Sequence, residues 1–293
     1  MNALDSTALD STARVRFAHI LFPTDLSPSA ERALPYALAI AQRYRAAIHA
    51  VNVITQPGMY ALVPPASWPQ IAKLEEEARQ DFRQRIEHQL ETLQHEVIFQ
   101  NGDVWPALSR IIHERKIDLI VLSTHAPLAV EKFFLGSVAE EIFRRALCPV
   151  LTVGPSAPLK PRQLGELDCI LYATDFSPES LAGAPYAISL AREHRARLVL
   201  LHCRHDSEDV HALRQALHDV VPFGAELRNP PDCVVERGRP AEKILEAAEA
   251  HEADLIVLGI RGAEHISGGS QFRQSGSYQI VARSKCPVLT VRG

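Results

Sequence analysis

An internal repeat limits the fold of this chain more than any other feature of its sequence. Four segments of the N-terminal half return in the same order in the C-terminal half. The pairs are residues 20–28 (ILFPTDLSP) with 170–178 (ILYATDFSP), 35–37 (PYA) with 185–187 (PYA), 118–122 (DLIVL) with 254–258 (DLIVL), and 148–153 (CPVLTV) with 286–291 (CPVLTV). Chance does not produce four ordered matches, so we interpret the chain as two copies of one domain.

The length of the chain agrees with this duplication. Its 293 residues correspond to two domains of about 150 residues each. We predict one domain over residues 16–154 and a second over 166–293, joined by a linker at 155–165 that contains three prolines. Residues 1–15 are rich in Asp, Ser and Thr, and we predict that they form a loose tail.

Short apolar segments alternate with helix-forming segments along each copy. The apolar segments, such as 20–22 and 119–122, are continuous, which is typical of strands that are buried on both faces. Ser27 and Pro28 suit the N-cap and first position of a helix, and apolar spacing predicts that this helix continues through residues 34–41. We therefore predict an α/β fold in which each copy is a doubly wound parallel sheet with helices on both faces.

Two segments of each copy would follow buried strands at their carboxyl ends, where doubly wound sheets bind their ligands. The first segment consists of Pro23, Thr24 and Asp25 in one copy and of Ala173, Thr174 and Asp175 in the other. A carboxylate at such a position can accept hydrogen bonds from the hydroxyl groups of a ribose. The alternative is that both aspartates only cap the turn that leads into the following helix.

The second segment follows the fourth strand. In the C-terminal copy it contains Gly259, Arg261 and Gly262, then a glycine-rich loop, then Gln274, Ser275 and Gly276 at the start of a helix. In the N-terminal copy the corresponding residues are Ser123, His125 and Ala126, followed by Gly136, Ser137 and Val138. Glycines let a backbone approach a phosphate closely, and the N-terminus of a helix favours anions. We therefore predict that this segment binds phosphate groups.

Both halves of the chain, over residues 17–153 and 168–291, resemble the universal stress protein family. Members of this family that bind nucleotides have an Asp after the first strand, the motif Gly-x2-Gly-x9-Gly-Ser/Thr after the fourth, and an apolar residue beside adenine at the end of the second. The apolar position falls on Val53 and Cys203. The resemblance implies five-stranded, Rossmann-like sheets of the adenine nucleotide α-hydrolase type with strand order 3-2-1-4-5. It also implies ATP or ADP as the ligand, with or without Mg²⁺.

Neither copy has the complete motif. The N-terminal copy keeps the nine-residue spacer and the closing Gly-Ser pair, but it has Ser123 and Ala126 in place of the leading glycines. The C-terminal copy keeps both leading glycines, and its closing pair is either 274–275 (Gln-Ser) after eleven residues or 276–277 (Gly-Ser) after a longer spacer. Because the leading glycines and Arg261 are present there, we predict that the C-terminal copy binds nucleotide better than the N-terminal copy.

Composition argues against several other classes of protein. A formal net charge of −4 does not suit general binding to nucleic acid, which depends on neutralising phosphates. No apolar stretch approaches the roughly 18 residues of a membrane span, and the N-terminus lacks the features of a secretory signal. The five cysteines form no Cys-x-x-Cys pair, and an odd number argues against a disulfide framework. We therefore expect a cytoplasmic protein with no metal site, no nucleic-acid partner and no membrane partner.

The function predicted from these residues is regulatory. No set of residues supplies a convincing general base, so we predict no catalytic residues and no enzymatic activity beyond weak ATP hydrolysis. We predict a universal-stress-type protein that binds adenine nucleotide in one or both domains and acts in the stress response. The alternatives are a nucleotide-free interaction module or chaperone-like scaffold, and an enzyme of the related α-hydrolase type.

The last strand of each copy, predicted at 149–153 and 287–291, would form the edge of a sheet. Apolar edge strands are normally covered by another strand or element. Universal stress proteins resemble one another in dimerising through this strand. The resemblance therefore implies that the two copies pair within the chain, and we expect two chains to form a homodimer.

Overall fold

A computed structural model describes residues 14–54, 64, 67–124, 135–158, 166–205, 207–261 and 275–293 of the chain. These residues form two compact units. One unit holds the described part of 17–165 together with Val281–Val288, and the other holds the described parts of 1–16 and 166–280 together with Leu289–Gly293. Each repeat therefore supplies most of one unit.

Strands and helices alternate along both halves. The strands of the N-terminal half are β1 (His19–Pro23), β2 (Ala47–Ile54), β3 (His95–Asn101), β4 (Leu119–Ser123) and β5 (Val150–Val153). Its described helices are a 3₁₀ helix (Ala30–Arg32), α1 (Leu34–Tyr44), α2 (Trp68–Leu90), α3 (Val104–Glu114) and α4 (Ser137–Arg145). The strands of the C-terminal half are β6 (Cys169–Ala173), β7 (Arg197–Arg204), β8 (Asp232–Arg237), β9 (Leu255–Ile260) and β10 (Val288–Arg292). Its described helices are α5 (Pro178–Leu181), α6 (Ala184–His194), α7 (Val210–Asp219), α8 (Pro240–Ala250) and α9 (Gly276–Arg283).

The first strand of each copy lies where the strand order reverses. Strand β1 pairs in parallel with β2 on one side and with β4 on the other, while β2 pairs with β3 and β4 with β5. In the C-terminal half β6 pairs in parallel with β7 and β9, and β7 pairs with β8. The orders are β3-β2-β1-β4-β5 and β8-β7-β6-β9-β10. Both correspond to 3-2-1-4-5, so the predicted fold class and strand order are confirmed.

The central strands bury apolar side chains at successive positions. Ile20, Leu21 and Phe22 of β1 are buried, although neighbouring side chains of a strand point to opposite faces of the sheet. Helix α1 covers one face with small residues, and Ala37 and Ala41 have no exposed surface. Because helices cover the sheet, the strands need no polar face, which explains the continuous apolar segments in the sequence.

The helix predicted to run from Pro28 through residues 34–41 is interrupted. Residues 30–32 form a 3₁₀ helix, and α1 begins only at Leu34, with Pro35 in its first turn. A proline in the middle of a helix lacks a backbone N–H and its ring clashes with an earlier carbonyl group, whereas the first turn accepts it. The prediction of one continuous helix is therefore wrong, because Pro35 requires a new start.

Helix α5 of the C-terminal copy takes the place of the 3₁₀ helix in the N-terminal copy. The hydroxyl group of Tyr172 donates a hydrogen bond to the carbonyl oxygen of Ser180 at 2.8 Å, and the hydroxyl groups of Ser180 and Thr174 lie 2.8 Å apart. These bonds hold α5 against the end of β6. Phe22 and Ala30 occupy the positions of Tyr172 and Ser180 in the N-terminal copy and lack the hydroxyl groups, so the same attachment cannot form there.

Gly259 of β9 lies directly against the backbone of α5. A Cβ atom at this position would lie 2.2 Å from the carbonyl oxygen of Glu179 and 2.3 Å from that of Ser180. Both distances are far shorter than van der Waals contact, so only glycine fits beneath the helix. The N-terminal copy has Ser123 at the corresponding position, beside the segment that does not form an α-helix.

A row of polar side chains connects three strands of the N-terminal half. Nδ1 of His19 lies 3.3 Å from Nε2 of His49, and Nδ1 of His49 lies 3.1 Å from a carboxylate oxygen of Glu96. Arg115 donates two hydrogen bonds to the same carboxylate, at 2.8 and 2.7 Å. The bonds from Arg115 lower the pKa of Glu96 to about 2. Burial lowers the pKa of His49, although its hydrogen bond to Glu96 opposes this effect.

We expect Gly259→Ala to lower the free energy of unfolding by about 1–3 kcal/mol, the usual cost of overpacking, because α5 must move away from β9. Urea unfolding followed by circular dichroism measures this change. Gly276→Ala is the matched control, since beyond its chain neighbours no atom of the described residues lies within 4 Å of the Cβ position at the start of α9. Equal stability of the two variants would contradict the packing role of Gly259.

We expect the wild-type protein to lose stability more steeply than His49→Gln as the pH falls from about 6.5 to about 5. The lowered pKa of His49 means that the unfolded chain binds a proton in this range that the folded protein does not bind. This contribution is fully present above the unfolded-state pKa of 6.5 and is lost as the pH falls through the folded-state pKa. Glutamine at this position does not titrate. The free energy of unfolding in urea, measured at a series of pH values, tests the difference, and parallel curves would refute it.

Candidate functional site

A pocket with a volume of about 440 Å³ lies at the carboxyl ends of β1, β2 and β4 in the N-terminal half. Helix α3 and the start of α4 complete its walls. The lining residues are Pro23, Thr24, Asp25, Ala30, Val51, Asn52, Val53, Val104, Leu108, Leu122, Ser123, Gly136, Ser137, Val138 and Ala139. The pocket therefore lies where the strand order reverses, which is the position at which doubly wound sheets bind ligands.

The structure brings together most of the residues predicted as binding residues in the N-terminal copy. Those on the lining are Pro23, Thr24, Asp25, Val53, Ser123, Gly136, Ser137 and Val138, whereas His125 and Ala126 lie outside the described residues. Sequence reasoning missed Asn52, Val104 and Leu108, which also line the pocket. Val104 and Leu108 are four residues apart on α3 and therefore share one face. Asn52 is a polar residue in an apolar strand, and this contrast could have identified it.

The aspartate after the first strand closes a tight turn in both copies. The backbone N–H of Ser27 donates to Oδ1 of Asp25 at 2.9 Å, and that of Ser177 donates to Oδ1 of Asp175 at 3.0 Å. Leu26, which lies between Asp25 and Ser27, has a left-handed φ of 56°. The capping role that the sequence left open is therefore present. It does not exclude a contact with ribose, because an ionised carboxylate can accept about four hydrogen bonds.

Asp175 is held in its charged form by its neighbours. Burial would raise its pKa, but hydrogen bonds from the hydroxyl groups of Ser177 and Ser180 and from the backbone N–H of Ser177 leave the pKa below its ordinary value. Ala173 is the last residue of β6, and Thr174 is buried directly after it. A charged carboxylate is a stronger hydrogen-bond acceptor than a neutral one, so Asp175 suits a ligand that carries hydroxyl groups.

The position predicted to lie beside adenine is near the end of the second strand in both copies. Val53 of β2 lines the pocket, and Cys203 of β7 is half-buried. Burial raises the pKa of the Cys203 thiol to about 11. The thiol is therefore uncharged at neutral pH and has the character of a small apolar group. The thiolate is the nucleophilic form, so this environment also argues against nucleophilic chemistry at Cys203.

The helices that follow the fourth strand begin differently in the two copies. Helix α4 has Gly136 as its N-cap, a residue without a side chain that could accept a capping hydrogen bond. In the C-terminal copy the backbone N–H of Tyr278 donates to Oγ of Ser275 at 3.4 Å, next to Gly276 at the start of α9. The first N–H groups of a helix lack partners within it. The residues that carry these groups in α4, from Ser137 to Ala139, lie on the lining of the pocket.

Gly259 and Arg261 of the C-terminal copy have neighbours that the sequence did not indicate. We expected Gly259 to admit a phosphate, whereas its contact with α5 explains why glycine is needed. Nε of Arg261 lies 3.7 Å from a carboxylate oxygen of Glu179, in an ion pair that is largely exposed to solvent. Gly262 and Gln274 lie outside the described residues. The ranking of the two copies as nucleotide sites stays a prediction.

Among the residues that the structure describes, no group of three or more His, Cys, Asp or Glu side chains could hold a metal ion. None of the described helices is both long enough and apolar enough to cross a membrane.

Known proteins resemble this chain over each repeat and over its whole length. The model of the universal stress protein family matches residues 16–154 and 167–292. A universal stress protein of Thermus aquaticus is 38% identical over 135 residues, which are 42% of this chain and 97% of that protein. A universal stress protein of Mycobacterium bovis is 25% identical over 313 aligned positions, which cover 93% of this chain and 94% of that protein.

A solved structure agrees with these matches at the level of the fold. The crystal structure of a universal stress protein from Archaeoglobus fulgidus has a TM-score of 0.72 and 24% sequence identity, and the match covers 94% of this chain and 98% of that chain. The family model, matching twice, accounts for both repeats that the sequence shows. The chain therefore belongs to the universal stress protein family and contains two tandem copies of its domain.

Proposed function

We propose that this universal stress protein binds an adenine nucleotide, ATP or ADP, and acts through it as a regulator in the stress response. Membership of the family supports a role in the stress response. The observation that carries the nucleotide is the lining of the pocket in the N-terminal half, which combines apolar side chains, one carboxylate and the start of a helix. These three features suit the base, the ribose and the phosphates, respectively.

The apolar part of the lining suits a purine base. Val53, Val104, Leu108 and Leu122 come from three different elements and supply apolar surface on several sides of the pocket. Burying a flat aromatic ring among such side chains is favourable because it removes apolar surface from water. The volume of about 440 Å³ falls within the range of about 300–1,000 Å³ that is usual for small-molecule sites.

The polar part of the lining suits a ribose and its phosphates. Asp25 and Thr24 follow β1 and offer a carboxylate and a hydroxyl group to the sugar. The start of α4, from Gly136 to Ala139, offers backbone N–H groups and the positive end of the helix dipole. Anionic phosphates bind well at such helix N-termini. Mg²⁺ would accompany the nucleotide mainly through the phosphates and water, since it commonly keeps several waters.

We propose that the C-terminal copy binds the same class of ligand. It repeats Thr174 and Asp175 after the first strand, and it has the uncharged thiol of Cys203 at the position of Val53. The charged form of Asp175 supports a contact with ribose hydroxyl groups. Ser275 begins the segment that leads into α9, which is the counterpart of α4.

We propose binding rather than turnover as the role of the pocket. General base catalysis requires a titratable group that can take a proton from the attacking water. Among the lining residues of the described pocket, Asp25 is the one ionisable side chain, and its carboxylate already accepts the backbone N–H of Ser27. Weak hydrolysis of ATP is compatible with this arrangement, and regulation by the bound nucleotide needs no faster chemistry.

Direct measurement of bound nucleotide tests this function. Protein purified without added nucleotide is denatured, and the released ATP and ADP are quantified by chromatography, while calorimetry gives the dissociation constant for added ATP. We expect Asp25→Ala and Asp175→Ala each to weaken one site by about 5- to 100-fold, the loss typical of hydrogen bonds to a charged group. Asp81→Ala, on the exposed face of α2, is the control of equal charge change.

The same variants compare the two sites. We expect the Asp175→Ala variant to retain less bound nucleotide than Asp25→Ala, as the ranking from the sequence predicts. Equal losses from the two variants would contradict the ranking. A wild-type chain that carries no nucleotide and binds neither ATP nor ADP in calorimetry would overturn the proposed function itself.

We also propose that the two copies pair through their last strands and that two chains form a homodimer, as the family resemblance implies. Replacing Leu151 and Leu289 with Asp would place charges on these strands. We expect the double variant to expand or aggregate, as judged by small-angle scattering and light scattering. A variant with the compact shape and the urea stability of the wild type would show that the strands do not pair.

A further inference from the structure

Asn52 is held in one orientation on the lining of the pocket. It lies near the end of β2, and its Nδ2 donates a hydrogen bond to the carbonyl oxygen of Thr24 at 2.9 Å. A carbonyl oxygen can only accept hydrogen bonds, so this contact establishes which end of the amide carries the nitrogen. Among the described residues, none accepts a hydrogen bond from the second N–H of Nδ2, and none donates one to Oδ1 of Asn52.

An amide held in this way presents a donor beside an acceptor. The same pair of atoms matches adenine, whose amino group donates to the amide oxygen while a ring nitrogen accepts from the amide nitrogen. Hypoxanthine and guanine carry a carbonyl oxygen where adenine carries its amino group. Asn52 could satisfy that oxygen only by rotating its amide through half a turn. The rotation would break the bond to Thr24 and place two oxygen atoms against each other.

The C-terminal copy has the same hydrogen bond to a threonine carbonyl group, but a different side chain forms it. His202 occupies the position of Asn52, and its Nδ1 lies 2.9 Å from the carbonyl oxygen of Thr174. Because that oxygen only accepts, Nδ1 carries the proton of this hydrogen bond, and Nε2 is the remaining polar atom of the ring. In both copies the side chain at this position of the second strand therefore forms a hydrogen bond with the carbonyl oxygen of the threonine after the first strand.

The remaining polar atom of His202 is covered. His202 is 6% exposed, and Nε2 is buried without a hydrogen-bond partner among the residues that the structure describes. The ring of Phe176 stacks on the imidazole, with centroids 4.7 Å apart and an angle of 29° between the planes. The N-terminal copy has Leu26 at the position of Phe176 and forms no such stack.

We infer that Asn52 selects the base in the N-terminal site, and that the C-terminal site lacks this selection because His202 is covered by Phe176. The inference rests on the proposed nucleotide binding and adds the class of ligand to it. The N-terminal site takes nucleotides of 6-aminopurines. The C-terminal site takes purine nucleotides with either an amino or a carbonyl group at this position. The two halves of one chain thus differ in the purine nucleotides that they bind.

Two single-site proteins test this difference in the full chain. Asp175→Ala weakens the C-terminal site and leaves the N-terminal site unchanged, and Asp25→Ala does the reverse. We call each a single-site protein for its one unchanged site, whose dissociation constant is fitted separately from that of the weakened site. Calorimetry gives the dissociation constants for ATP and for ITP, which carries a carbonyl oxygen in place of the 6-amino group. We expect the N-terminal site to prefer ATP by about tenfold or more, the discrimination typical of a two-bond contact with a base. We expect a preference below about threefold in the C-terminal site.

A substitution of Asn52 tests whether this side chain causes the preference for ATP over ITP. In the Asp175→Ala protein, Asn52→Leu keeps the branched shape of the side chain and removes both polar atoms, so the preference for ATP should fall below about threefold whatever the absolute affinity becomes. Equal preferences in the two single-site proteins, or a preference that survives Asn52→Leu, would overturn the inference. If Asn52→Leu does not fold, the comparison of the two single-site proteins decides alone. Absence of ATP binding in the wild-type chain is the separate result that defeats the proposed function.

Discussion

The position of β1 between β2 and β4 is the constraint on which the rest of the structure depends. The chain winds first to one side of this strand and then to the other, so the connections leave in opposite directions and the carboxyl ends of β1 and β4 are left open. Burial of β1 on both faces fixes the strand in the sheet. The residues that follow it, Thr24 and Asp25, are therefore placed on the lining of the pocket by the hydrophobic core.

Much of this arrangement could be predicted from the sequence, because apolar segments and turn residues act locally. The parallel sheet and the segment around Asp25 are of this kind. The break before Pro35 could also have been predicted, since the effect of proline on a helix depends on its own ring, but the apolar spacing led us to predict one continuous helix. The sequence did not predict three further lining residues of the pocket, Asn52, Val104 and Leu108. They come together only because of how β2 and α3 pack against each other. We expected Gly259 to be glycine so that a phosphate could approach the backbone. The structure shows a different reason, because the backbone of α5 leaves no room for a Cβ atom at this position.

The two copies have kept their topology while changing the chemistry near the ends of their strands. Each uses the aspartate after its first strand to close a turn, and each anchors a polar side chain of the second strand on the carbonyl group beside that aspartate. The differences concern what surrounds these shared features. Tyr172 and Ser180 attach α5 in one copy, whereas Phe22 and Ala30 cannot do so in the other. A common framework thus supports two chemically different environments at the ends of the strands.

The contact between Gly259 and α5 also has a consequence for how the repeats can change over generations. Ser123 occupies the corresponding position of the other copy, so a side chain is accepted there. At position 259 serine or alanine is unfavourable unless α5 moves away first, because the backbone of Glu179 and Ser180 lies within reach of the missing Cβ. The order of substitutions therefore matters, and the residue of the N-terminal copy cannot be transferred to position 259 by a single exchange.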